Sequence, residues 1–188
     1  MSAQRITVPF SSPYTGLVDE INVHLDSWNC TGPMALGIDN AALASAAWTA
    51  NRLLFLPFVT DVNLLVAQFF WVNGATAAGN TDVGIYSFDG QTKIGSTGST
   101  ANSGTSAVQS VNVTDFSLGA DQRYWLALGC DSGTHTYFAS SMRVEGWDYA
   151  GAREELSGWS SGLPGTITFA VPSVTVTPMF GFTGSSVF

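Results

Sequence analysis

Any chemistry in this chain would come from few groups. There are two histidines, His24 and His135, each set in a strand pattern among polar neighbours. His24 has Asp26 two residues along on the same strand face, and His135 follows Asp131 by four. Either imidazole is a competent metal ligand in isolation. No HExxH or three-histidine spacing accompanies them, so a surface or interface role is the expectation for both. Serines abound without a G-x-S-x-G elbow to raise one on a strained turn. The acid pairs Asp19-Glu20 and Glu154-Glu155 are adjacent in sequence, whereas glycosidic chemistry needs carboxylates facing each other roughly 5–9 Å apart. Asp82, Asp89, Asp121 and Asp131 fall at predicted strand ends. Gathered on one rim they would offer oxygen ligands to calcium, but none lies in a D-x-D-x-D-G loop, and ordinary turn aspartates account for them. No glycine-rich loop ends in Gly-Lys-Ser/Thr, so no phosphate cradle is expected. The expectation is a non-enzymatic chain with no metal and no cofactor.

The aromatic residues offer a binding function instead. Trp147, Tyr149 and Trp159 sit among glycines and the acids Glu145, Asp148, Glu154 and Glu155. Exposed rings flanked by carboxylates suit sugar recognition, the ring covering apolar C–H faces while polar groups take the hydroxyls. A carbohydrate-binding module for a host surface glycan is therefore an alternative function. Against it, the same rings can fold back over a sheet or lie in a subunit contact, where Trp and Tyr are enriched.

The elements that must position these residues read as strands. Leu17–Leu25 alternates, with Ile21, Val23 and Leu25 on one face. Leu53–Val59, Asn63–Val72, Thr81–Phe88, Gln91–Ile94, the stretch around Val111 and Val113, Arg123–Cys130, Thr134–Ser140, Thr166–Val171 and, more weakly, Val174–Thr177 follow. Asp89-Gly90 suits a two-residue hairpin. Arg123–Cys130 is apolar on both sides, as a central strand with a covered outer face would be. Phe69, Phe70 and Trp71 cannot share one core, because successive strand residues point to opposite faces. Gly84 inside a strand signals a bulge or a close neighbour, while Asp82 and Asp89 are expected to bond nearby loop and turn amides. The run GSTGSTANSGTS, residues 95–106, reads as a loop that is mobile unless something packs over it, and residues 143–164 as a long structured one. One helix is predicted near residues 40–48, where Asp39 or Asn40 caps an alanine-rich run.

Residues 52 to about 142 resemble a segment common in structural proteins of tailed bacteriophages. The resemblance is carried by RLLFLPFV at 52–59, GNTDVGIY at 79–86, GSTGST at 95–100 and YWLAL at 124–128. It implies a jelly-roll-like β-sandwich of the kind found in tail appendages, fibres and head decorations, and it brings no catalytic motif. The expected fold is thus an all-β antiparallel sandwich, jelly-roll-like, of about eight strands with one short helix. The expected organisation is an arm at 1–16, a single domain at 17–177 and an aromatic tail at 178–188.

Composition agrees with such a subunit. Only 11 % of residues are charged, against about 25 % in typical domains. The net charge is −8, and Arg5, Arg52, Lys93, Arg123, Arg143 and Arg153 are scattered, so no basic stripe exists for nucleic acid. No apolar run is long enough for membrane insertion. The opening MSAQRITVPF lacks the apolar core of a secretory signal, so Cys30 and Cys130 are expected as free thiols in a reducing compartment, and the Asn29 and Asn112 sequons as chance. Phe10, Tyr14, Phe180, Phe182 and Phe188 are large rings in short terminal segments, expected to order against a partner. The function expected is a virion-located structural subunit, homo-oligomeric (a trimer fits an appendage) and docked on other virion structural proteins.

Overall fold

The structure is a computed structural model that describes residues 29–30, 43–60, 62–141, 153–155, 159, 161–170 and 176–186. Among them are thirteen strands: β1 (Asn29–Cys30), β2 (Leu43–Ala47), β3 (Leu53–Thr60), β4 (Leu64–Val72), β5 (Asn80–Ser87), β6 (Lys93–Ser96), β7 (Thr100–Ala101), β8 (Val108–Leu118), β9 (Gln122–Cys130), β10 (Thr136–Ser141), β11 (Arg153–Glu155), β12 (Val176–Pro178) and β13 (Phe180–Ser186). They form three antiparallel sheets, ordered β1-β13-β4-β8, β12-β10-β2 and β11-β3-β9-β5-β6, with β7 also pairing β5. The arm at 1–16, the strand at Leu17–Leu25, His24, Trp147 and Tyr149 lie outside the described residues, as do Phe10, Tyr14 and Phe188.

Two expectations about the fold are corrected. An eight-strand jelly-roll-like sandwich gives way to three sheets, because four of the thirteen strands are only two or three residues long and too short to alternate visibly. The predicted helix near residues 40–48 is absent: no helix occurs among the described residues, and Leu43–Ala47 is β2, paired from Leu43↔Ser140 to Ala47↔Thr136. Alanine's helix propensity is a local preference of tenths of a kcal/mol per residue, and two or three turns do not sustain themselves. Pairing with β10 and anchoring of Trp48 override it. The Trp48 ring meets Tyr137 edge-on at 5.5 Å, its backbone N donates to His135 O at 3.0 Å, and its indole N–H donates to Arg52 O at 3.2 Å.

The main core lies between the four- and six-stranded sheets. Leu54, Leu56, Val83, Ile85, Leu126 and Leu128 face Val66, Phe69, Trp71, Leu118, Phe180 and Phe182. Alternation assigns Leu53, Phe55, Tyr86, Trp125 and Ala127 to the outer face of the six-stranded sheet. There Leu163, Ile167, Trp159 and Phe169 cover them as a second apolar cluster. The doubly apolar character of β9 follows from this cover, as expected. On β4 the inward phase changes from Leu64 and Val66 to Phe69 and Trp71, and the register is irregular between Val66 and Gln68. Phe70, on the opposite face, is buried as well.

The segment read as an aromatic tail is the largest organisational difference. Phe180–Ser186 is β13, an interior strand between β1 and β4, with Phe180 opposite Trp71 and Phe182 opposite Phe69. Thr166–Val171, read as a strand, forms none over residues 166–169; Ile167 is buried and Phe169 partly buried in the second cluster, and Val171 lies outside the described residues.

Candidate functional site

The densest collection of reactive side chains lies at the end of the main core where β9 turns into β10. Cys130 ends β9, and Asp131 accepts from Asn80 N and Nδ2 at 2.7 and 2.8 Å, holding the turn against the start of β5. Gly79 makes that approach with φ of 65°, and a Cβ there would meet Ser132 Cβ at 2.5 Å. Thr81 and Tyr137 share a hydrogen bond of 2.6 Å between their hydroxyls. The His135 ring stands edge-on to Tyr137 at 4.3 Å, and its Nδ1 accepts from Ala78 N at 3.2 Å. His135 is fully buried, and its Nε2 has no hydrogen-bond partner among the described residues.

Electrostatics keep this cluster neutral. Burial pulls His135 down to about 4, against the attraction of Asp131. Burial likewise pushes the Cys130 thiol up and the Tyr137 phenol well above its ordinary value. A nucleophilic cysteine needs the opposite arrangement, a thiolate stabilised beside an imidazolium. His135, Cys130 and Tyr137 therefore form a hydrogen-bonded corner of the core that is uncharged at pH 7. Cys130 is a buried free thiol, as expected.

A neighbouring network ties the Gly/Ser-rich loop to this corner. The buried Trp71 indole N–H donates to Asn73 Oδ1 at 3.0 Å and to Asn102 Oδ1 at 3.1 Å. Asn73 Nδ2 donates to Ser103 O and Gln109 Oε1, and Asn102 Nδ2 donates to Ala78 O. Thr100 and Ala101 pair with Thr81 and Asn80 as β7. The loop expected to be mobile unless packed over is thus hydrogen-bonded along most of its length.

The second polar centre is Asp82, on the outer face of β5. Its carboxylate is fully buried and accepts from Leu163 N at 2.9 Å, Thr97 Oγ1 at 3.0 Å and Ser96 Oγ at 3.4 Å. Burial raises its pKa, opposed by those hydrogen bonds and by the Lys93 charge. Lys93 Nζ donates to Leu163 O at 2.7 Å, Tyr86 OH to Pro164 O at 2.5 Å, and Ile167 N to Gly90 O at 3.0 Å. These bonds hold residues 161–167 down over the second apolar cluster. Gly84 lies beneath: a Cβ there would stand 2.7 Å from Ser96 Cβ and 2.8 Å from Gly95 O. The close neighbour expected of Gly84 is there. Asp82 bonds a loop amide as predicted, but that loop is 81 residues away in sequence.

The remaining candidates disperse. Asp89 serves its own turn as predicted, accepting from Ser87 Oγ at 2.5 Å and Gln91 N at 3.0 Å. The turn spans residues 88–92 rather than two residues, with Gly90 at φ 72°. Asp121 lies in the β8–β9 turn, its N donating to Thr60 O at 2.6 Å. No group of three or more His, Cys, Asp or Glu able to hold a metal occurs among the described residues. Trp159, the described member of the proposed glycan patch, is half-buried, and its ring comes within 3.0 Å of where a Gly129 Cβ would stand. Phe180 and Phe182, expected as subunit contacts, are fully enclosed by the chain's own core. The correction follows from β13 being an interior strand.

Sequence reasoning missed the exposed features. Phe88 is 42 % exposed, stacked on Trp125 at 5.3 Å with the Arg123 guanidinium 5.5 Å from its centroid. β8 is an eleven-residue strand at the end of the four-stranded sheet, and Val108 on it is 61 % exposed. Its apolar residues were legible, but its edge position depends on pairing with β4. Comparison with protein-family models, curated proteins and solved structures found no match.

Proposed function

We propose that this chain is a non-enzymatic structural subunit of a virion, contributing to a tail appendage, fibre or capsid decoration as a homo-oligomer. The observation that carries the assembly part is β8. Among the described residues its eleven-residue backbone pairs with β4 alone, and it holds a single charge, Asp115. Proteins that remain apart guard long edges with lysine, proline or pronounced bulges. Here the register irregularity near residues 113–115 leaves Val108–Asn112 regularly paired, with Val108, Ser110 and Asn112 exposed. Such an edge offers hydrogen-bonding groups to an added strand from a neighbour. The virion setting is supported by the resemblance of residues 52 to about 142 to tailed-phage structural proteins and by the low charged fraction.

Sedimentation at micromolar concentration tests the assignment, together with incorporation into the parent particle. The parent chain is expected to associate. Ser110→Lys with Thr114→Lys, both at exposed positions, is expected to shift the population toward monomer with little change in melting temperature. A parent chain that is monomeric at micromolar concentration and fails to join the particle overturns the proposal.

A further inference from the structure

We infer that His135 is an acid-released latch: its Nδ1 holds the 74–79 loop closed through the Ala78 amide, and protonation forces that loop to open locally. The geometry has two parts. Nδ1 is an acceptor for Ala78 N at 3.2 Å, a role only the unprotonated nitrogen can fill. With Nδ1 accepting, the neutral ring carries its proton on Nε2, which is buried without a hydrogen-bond partner among the described residues, so a second proton can go only to Nδ1, against the Ala78 N–H. An imidazolium here would turn an N–H toward the Ala78 N–H and carry an unsolvated charge. Exposure to water removes both penalties, and the 74–79 loop, whose Ala78 N–H is the group Nδ1 holds, is the element the bond releases.

The groups facing His135 do not offset this. Cys130 and Tyr137 are neutral at pH 7, and burial raises both pKa values further above it. Asp131 attracts the imidazolium, but both its oxygens already accept from Asn80. Just past β2, Trp48 contributes its backbone N–H to the His135 carbonyl, and no charged group.

Opening would spread along defined bonds. Gly74 N donates to Thr136 O at 2.7 Å, Thr76 N to Thr136 Oγ1 at 2.9 Å, and Ala75 N to Ser45 Oγ at 2.8 Å. Ser106 N donates to Gly74 O at 2.7 Å, and Asn102 Nδ2 to Ala78 O at 2.9 Å. Release of Ala78 therefore loosens the 102–106 corner with it. Acid would convert a sealed end of the core into an exposed one without unfolding the sheets.

Native-state hydrogen exchange on the full chain at about pH 7 and pH 5, corrected for intrinsic rates, tests the latch. An imidazole at about 4 when closed and near 6.5 when open makes opening about 20-fold more favourable at pH 5 than at pH 7. Protection of residues 74–79 is expected to fall by that factor. Those amides should also exchange at least about tenfold faster than β9 amides at pH 5, with little dependence on added urea, as local opening requires. His135→Asn, which keeps an acceptor for Ala78 and takes no proton, should lose the pH dependence. An unchanged protection of 74–79 overturns the latch. So does exchange that tracks β9 at both pH values, or the same fall in His135→Asn. Should the variant not fold, the comparison of 74–79 with β9 in the parent decides alone.

Discussion

Phe182→Ala distinguishes a core strand from a partner-dependent tail. Phe182 is fully buried, and its ring lies 5.5 Å from Phe58 on the six-stranded sheet and 6.3 Å from Phe69 on its own. It therefore spans the two sheets, and truncation removes both contacts and leaves a void between them. Phe→Ala at such sites costs about 3–5 kcal/mol, a large part of the ~5–15 kcal/mol that holds a domain together. At roughly 2–4 °C per kcal/mol for a chain of this size, the melting temperature should fall by about 6–20 °C. The assay is equilibrium urea unfolding followed by tryptophan fluorescence, with the transition midpoint shifting and its slope retained. Phe88→Ala is the control, since a partly exposed ring stacked on Trp125 should cost only about 1 kcal/mol. If Phe182→Ala costs under ~1 kcal/mol, or acts only by dissociating an oligomer, the placement of β13 in the core is refuted.

Two further outcomes follow from the Asp82 centre and its surroundings. Gly84→Ala should destabilise by about 1–3 kcal/mol in the same assay, because the new methyl meets Ser96 and the Gly95 carbonyl at under 3 Å. An Asp82 pKa raised above 3.8 means the folded protein binds that proton more readily than the unfolded one. Stability contributed by this group should therefore rise as pH falls through its folded value toward 3.8, and Asp82→Asn should abolish that component in unfolding curves taken from pH 7 to 4. The His135 contribution runs oppositely, because its folded pKa is lowered, and is lost as pH falls from 6.5 toward about 4. Comparing each variant with its parent separates the two.

How the sequence expressed the fold differs by element. β9 announced both its position and its covered outer face, because YWLAL is apolar at consecutive residues and only a doubly buried strand accommodates that. Gly84 announced either a bulge or a close neighbour, because a residue without a side chain inside a strand marks one or the other. The alanine-rich run at Leu43–Ala47 misled, since helix propensity is counted within a segment while strand pairing with Thr136–Ser140 is supplied from about 90 residues away. Phe180–Ser186 misled for the same reason: alternate glycines and rings look like a loose tail until β4 is placed beside them.

The candidate sites divide along the same line. Asp89 could be assigned from sequence because its partners are two residues away on either side. His135, Asp82 and Trp159 could not. Their environments come from Ala78, Leu163 and Gly129, and burial by distant segments sets both their hydrogen bonding and their charge. By itself the sequence determined that this is an antiparallel β protein with few charges, because alternation and turn chemistry are local. Only the tertiary structure decided that there are three sheets, that the final aromatic strand belongs to the core, and that one histidine is enclosed neutral. Those outcomes depend on which surfaces exclude water together, and that is settled between residues far apart in the chain.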